Sequence, residues 1–169
     1  MILTFKDIKR HSSQRLKSWA PCLNYCGMFY DCHGVIEIIF DNFDTSKVTN
    51  MSSMFAHCYN LTILDATGFD TRKVTNMKSM FFRCDNLTFL DISNFDTSNV
   101  TDMSWMFHYC KNLQKLNLDS FDTSKVTNMS WMFNDCFKLE NCDTSHFIMN
   151  SVISNQDMFE GCTKLKTKW

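Results

Sequence analysis

A chain of 169 residues and 19.9 kDa has room for one domain with a core of its own. Its 17 basic and 18 acidic residues leave a formal net charge of −1 and no basic patch, which excludes nucleic acid as a partner, while a hydrophobic fraction of 44% excludes disorder. With one proline and four glycines, the turns must be made by Asn, Asp, Ser and Thr.

The start of the chain, Met1 to Arg10, holds no apolar run of signal-peptide length, and nothing further on approaches a membrane-spanning length. The expected location is therefore cytoplasmic by default, or the cell surface if an export signal has been removed, with no membrane insertion. Residues 1–16 are expected to form a polar helical cap. From residue 17 onward one unit repeats to the end of the chain. The segment from Phe43 to Leu64 returns nearly letter for letter from Phe69, Phe95 and Phe121 and decays from Phe147, with a period of 26 residues. The cysteines keep the same beat at Cys32, Cys58, Cys84, Cys110, Cys136 and Cys162. A fixed period in this range marks units that bury their apolar side by stacking on a neighbour. Turns are expected to start near residues 17, 43, 69, 95, 121 and 147, the first and last weakened.

Within a unit, Met51, Met54, Phe55 and Cys58 fall at i, i+3, i+4 and i+7, which predicts a two-turn helix. Thr49 or Asn50 stands ahead of it as an N-cap, with Asp102 in that role in a later copy. Leu61, Leu64 and Ala66 resemble the inward positions of a short strand, and Phe43 and Val48 point inward around the polar bend between them. The expected fold is an α/β, leucine-rich-repeat-like solenoid of about six turns, with a parallel sheet on one wall and short helices on the other. Its core would be columns of equivalent residues: Phe55, Phe81, Phe107 and Phe133 in one, Cys58, Cys84, Cys110 and Cys136 in another.

The unit F-D-T-S-x-V-T-N-M-x-x-M-F-x-x-C-x-x-L-x-x-L-D resembles the 26-residue repeat of bacterial surface proteins, a relative of the BspA-type leucine-rich repeats found in mycoplasma lipoproteins and other cell-wall proteins. The resemblance covers residues 17–169. It implies a solenoid without enzymatic activity, displayed on a surface and assigned to adhesion or protein binding, with no catalytic residues and no cofactor.

The candidate sites follow from the columns. Most cysteines fall on apolar columns and read as small buried residues; disulfides remain an alternative, and a zinc site of Cys22, Cys26, Cys32 and His33 would match no common spacing. The five histidines fall in different columns where this can be checked, so no metal site is expected. Asp44, Asp70, Asp96 and Asp122 form a carboxylate column that either caps its own bends or holds a cation. Thr45, Thr71, Thr97 and Thr123, with Thr49, Thr75, Thr101 and Thr127, form two threonine columns that either cap or bind ice. On the strand face, alternation turns outward Ile63 and Asp65, Phe89 and Asp91, Lys115 and Asn117, with Ile63 and Phe89 adjacent. Trp105 and Trp131 share a column that holds serine in earlier turns. These eight residues are the candidate partner-binding positions. The expected function is a non-catalytic protein-interaction module of bacterial surface or adhesin type; the alternative is a structural or ligand-binding solenoid using the Asp and Thr columns.

Overall fold

The computed structural model describes residues 2–4, 25–40 and 43–166. Four short strands, β1 (Ile2–Thr4), β2 (Glu37–Ile39), β3 (Ile63–Asp65) and β4 (Phe89–Asp91), form one parallel sheet in that order. Between β3 and β4 the register is one repeat period: Ile63 pairs with Phe89, Leu64 with Leu90 and Asp65 with Asp91. β2 and β3 pair in the same register, Glu37 with Ile63 and Ile38 with Leu64. The sheet then thins to a single bridge, Lys115 with Asn141, where lysine and asparagine replace the β-favouring Ile63 and Phe89. Half a period earlier in the coil a second parallel ladder runs through Asn50, Asn76, Asp102, Asn128 and Ser154. Coil therefore lies on coil along two lines at once. Residues 5–16 of the expected cap lie outside the described residues, and Ile2–Thr4 form β1.

The helices expected opposite the sheet are not there: among the described residues no helix occurs, so the α/β leucine-rich-repeat-like reading with short helices is corrected. The reason lies in where the backbone amides go. In a helix each N–H would reach the carbonyl four residues back. Here the N–H groups of Met51, Ser53, Phe55 and His57 donate instead to the carbonyls of Asn76, Lys78, Met80 and Phe82 in the next coil, at 3.0, 2.8, 2.9 and 2.7 Å. The alternate N–H groups, of Met54, Ala56 and Cys58, close three-residue turns onto Met51, Ser53 and Phe55 at 3.2, 3.1 and 3.2 Å. Ser53 and His57 hold φ at 55° and 63°, and the equivalent residues of later coils do the same, which no right-handed helix permits. The wall is a ladder of turns. Asn50, expected as a helix N-cap, accepts the Ser52 N–H on its Oδ1 at 2.9 Å and shapes the first turn.

The turn ladder still buries the four residues that suggested a helix. Met51, Met54, Phe55 and Cys58 have no measurable exposure. The phenyl rings of Phe29, Phe55, Phe81, Phe107, Phe133 and Phe159 form one continuous pile, with centroids 5.1–5.6 Å apart and planes within 10° of parallel. Beside it, each column cysteine donates its S–H to the carbonyl of the phenylalanine one coil before: Cys84 to Phe55 at 3.2 Å, Cys110 to Phe81 at 3.2 Å, Cys136 to Phe107 at 3.0 Å. A small residue that is apolar in bulk yet carries a weak donor suits this place. Burial pushes the thiols of Cys84, Cys110 and Cys136 well above their ordinary value, and that of Cys142 up to about 12. A thiolate is the reactive form. Cys84, Cys110 and Cys136 should thus resist iodoacetamide at pH 8 in the folded chain and label only as it unfolds, as peptide mass spectrometry on a urea series would show.

The inner threonine column is also buried. Thr45, Thr71, Thr97 and Thr123 are at most 2% exposed, and each hydroxyl ties its coil to the next. The Thr71 Oγ1 donates to the Asp96 carbonyl at 3.0 Å and accepts the Asp96 N–H at 2.8 Å; Thr45 treats Asp70 in the same way, at 3.0 and 2.7 Å. The outer column, Thr49 to Thr127, contributes backbone rungs such as Thr101 N–H to the Thr75 carbonyl at 2.9 Å.

Candidate functional site

The aspartate column is occupied by its own turns. Asp44, Asp96 and Asp122 accept the N–H of Ser46, Ser98 and Ser124 at 2.9, 3.0 and 2.8 Å, and Asp70 holds Arg72 with both oxygens at 2.9 and 2.7 Å. That bidentate grip lowers the Asp70 carboxyl to about 2. Among the described residues no group of three or more His, Cys, Asp or Glu side chains could hold a metal ion. Cys22, of the zinc alternative, lies outside the described residues. No helix among them is long and apolar enough to cross a membrane.

On the sheet face, alternation places Ile63 and Phe89 side by side on β3 and β4, 44% and 54% exposed, over the buried Leu64 and Leu90. Ile36 and Ile39, 47% and 40% exposed, extend the apolar area on the coil of β2. Asp65 is exposed and Asp91 partly so, but each carboxylate is used locally: the Thr67 N–H and hydroxyl reach Asp65 Oδ1 at 2.9 and 2.6 Å, and Ser93 reaches Asp91 at 3.1 and 2.8 Å. The Thr67 hydrogen bonds hold the Asp65 carboxyl below its ordinary value. Lys115 and Asn117 are exposed on the following coil, and with Phe89, Asp91 and Gln114 they line a shallow groove of about 510 Å³.

Trp105 and Trp131 lie ten positions before the sheet row, on the turn ladder. Their ring centroids are 4.8 Å apart and the planes tilt by 39°, while the Trp131 Nε1–H donates to Asp157 Oδ2 at 3.2 Å. Both are half-buried. Their backbones hold φ at 62° and 56°, the left-handed region in which bulky L-residues are rare and cost about 1–2 kcal/mol. The fold imposes this conformation on the whole column, since Ser53, Ser79 and Asp157 share it.

Sequence reasoning missed the rest of this surface. The second left-handed column holds His57, Arg83 and Tyr109, at φ 63°, 58° and 61°. Neighbouring positions add Tyr30, Phe82 and His108. The rings touch in sequence: Tyr30 with His57 at 5.0 Å, His57 with Phe82 at 5.0 Å, Phe82 with His108 at 5.4 Å, and His108 with Trp105 at 4.8 Å. An aromatic strip thus crosses the coils from Tyr30 to Trp131. The left-handed columns that carry much of it were signalled by two glycines. Gly27 stands one period before Ser53 and Gly161 four periods after His57, and both hold positive φ, at 62° and 75°.

Two histidines in the strip are buried or partly buried and uncharged near neutral pH. Burial lowers His57, with the positive charge of Arg83 adding to it, and burial lowers His108, whose Nδ1–H donates to the Asn134 carbonyl at 2.9 Å. A histidine depressed in the folded state binds its proton more readily when unfolded, so stability falls as pH drops through the ordinary histidine value near 6.5. The loss due to His57 and His108 should set in as the pH falls through about 6.5, above the carboxylate phase that begins below about 4. Urea midpoints against pH should show the upper step, and the His57→Asn/His108→Gln double variant should flatten it.

Comparison with curated proteins and with solved structures returned no match. A family model matches the chain three times, over residues 1–88, 23–115 and 57–169, in overlapping windows that a repeating coil would produce. The chain belongs to the family described as Mycoplasma protein of unknown function, DUF285.

Proposed function

We propose that this chain is a non-catalytic protein-binding module of bacterial surface or adhesin type, and that it binds through the aromatic strip of the turn ladder with Trp105 and Trp131 as anchors. One observation carries the reading. Two tryptophans stand, partly exposed, on left-handed backbone where earlier coils are content with Ser53 and Ser79. Folding gains little from paying that conformational cost twice, and tryptophan is the side chain most enriched among interface hot spots. The likeness of the unit to repeats of bacterial surface proteins supports the same reading. Ile63 and Phe89 on the sheet supply a second apolar contact area, with Lys115 and Asn117 at its rim.

Serine is the natural replacement for the tryptophans, because the same column already holds it. The Trp105→Ser/Trp131→Ser variant should fold, with a thermal midpoint within a few degrees of the parent, and should bind its partner at least tenfold more weakly, the loss of about 1.4 kcal/mol or more expected of a hot-spot pair. The measurement is quantitative capture of host-surface proteins on immobilised chain, parent against variant, with Ile153→Ser as the control. Equal capture by the parent and the tryptophan variant would sink the reading.

A further inference from the structure

We infer that the guanidinium of Arg83 is a docking point for a carboxylate, and that the aromatic strip therefore selects acidic peptide segments of a partner protein. The inference rests on the strip being a recognition surface and adds the chemistry of what it recognises. Of the two described arginines, Arg72 is clamped by Asp70 at 2.7 Å, whereas no carboxylate of the described residues lies within ion-pair distance of Arg83. The Arg83 guanidinium carbon instead sits over the Tyr109 ring at 5.0 Å and the Tyr59 ring at 5.6 Å. Stacking restrains the planar group and leaves its edge, the side that bears the N–H fork, for a ligand. The Nε of Arg83 is buried without a hydrogen-bond partner, so the inner part of the group is unsatisfied and a ligand would meet the guanidinium from its Nη end.

Charge around the site decides between anions. Lys111 Nζ lies 2.6 Å from Asp85 Oδ2, so that pair cancels, and the other Asp85 oxygen has no donor. Asp31 Oδ1 lies 2.7 Å from His33 Nε2. His57, lowered by burial and by Arg83, adds no charge near pH 7. Arg83 is the cation of this stretch that no carboxylate pairs, and a single charge matches a single carboxylate; a phosphate dianion would bring a second negative charge towards Asp31, Asp85 and Asp135, whose fields reach the same histidines as that of Arg83. The side chain also stands on left-handed backbone, at φ 58°, in a column where Gly161 fills the last coil. Arginine is there in spite of the fold's preference.

The test uses the full chain, labelled with ¹⁵N, and three probes: a Glu-rich peptide of about ten residues, its Gln counterpart and inorganic phosphate. The Arg83 Nε–H resonance, identified by its loss in Arg83→Lys, should shift with the Glu peptide and stay still with the Gln peptide. Arg83→Lys should bind the Glu peptide roughly tenfold more weakly or worse, because a lysine neither stacks nor presents a fork; Tyr109→Leu should weaken it as well, and Arg72→Lys should not. An unmoved resonance at millimolar Glu peptide, or equal affinity in Arg83→Lys, overturns the inference. Phosphate binding as tightly as the Glu peptide overturns the carboxylate assignment. If the Arg83 resonance responds while Trp105→Ser/Trp131→Ser keeps its partner, the tryptophan reading fails and the carboxylate site stands; the reverse pair of results removes the site alone.

Discussion

Phe81→Ala is expected to cost about 3–5 kcal/mol of folding stability, among the largest effects a single substitution in this chain can have. The ring is fully buried at the middle of the phenyl pile, with Phe55 5.6 Å away on one side and Phe107 5.5 Å on the other. Neither neighbour can close the gap. Their positions are fixed by backbone bonds between coils, the Phe55 N–H to the Met80 carbonyl and the Phe81 N–H to the Met106 carbonyl, both at 2.9 Å. The substitution therefore removes the transfer energy of the ring and leaves most of the cavity behind. Because each coil contacts only the coils beside it, the damage also weakens the coupling between the two halves of the stack. In urea the midpoint should fall steeply, and a reduced m-value would report loss of cooperativity between the halves. Thr88→Ala, on the exposed surface, should stay within about 0.5 kcal/mol of the parent. A loss below about 1 kcal/mol for Phe81→Ala would mean that the ring does not carry the core.

Thr71→Val tests the hydroxyl bridge with almost no change of shape. The Thr71 oxygen is the hydrogen-bond partner of both the Asp96 N–H, at 2.8 Å, and the Asp96 carbonyl, at 3.0 Å. Valine keeps the buried methyl group, puts a second in place of the hydroxyl and abandons both backbone groups, at about 1–3 kcal/mol for each one left unpaired. Thr71→Ser keeps the oxygen and loses one methyl group, worth about 0.8 kcal/mol, so it should be clearly the milder change. Urea unfolding of the two variants side by side decides the point. If serine proved as damaging as valine, Thr71 would matter through packing and not through its hydroxyl.

The repeat period made much of this architecture legible. Letters one period apart do lie on one another, as Ile63 with Phe89 and Phe55 with Phe81 show. The buried faces were legible too, because an apolar residue that recurs at the same place in every coil has only the core to go to. The conformation of the segment from Met51 to Cys58 was not. The spacing i, i+3, i+4, i+7 describes one side of a helix, but a run of turns with every fourth residue left-handed gathers the same positions. Ser53 and His57 give no local sign of positive φ, and only Gly27 and Gly161, in the weakened end coils, betray the two columns.

The threonine columns show the same limit. Two threonines four apart in every unit read alike, yet Thr71 is buried and its hydroxyl engages both backbone groups of Asp96, while Thr75 is exposed and its hydroxyl only donates, to the Thr49 carbonyl at 3.2 Å. Their difference arises from the bend between them, closed by the Val74 N–H on the Thr71 carbonyl at 2.9 Å. The aromatic strip was hidden for another reason. Its members come from different columns, with Phe82 and His108 in one, His57 in a second and Trp105 in a third, and comparison down one column at a time does not bring them together. Only a turn ladder, which sets neighbouring columns side by side on the outside, does so.

The turn ladder itself is open to a direct reading by NMR, through scalar coupling across hydrogen bonds in deuterated, ¹³C,¹⁵N-labelled chain. The Ser79 N–H should couple to the carbonyl carbon of Ser104, and the Phe81 N–H to that of Met106, each in the next coil. Coupling of Ser79 to Thr75 and of Phe81 to Met77, four residues back, would restore the helix and contradict the stacked-turn account.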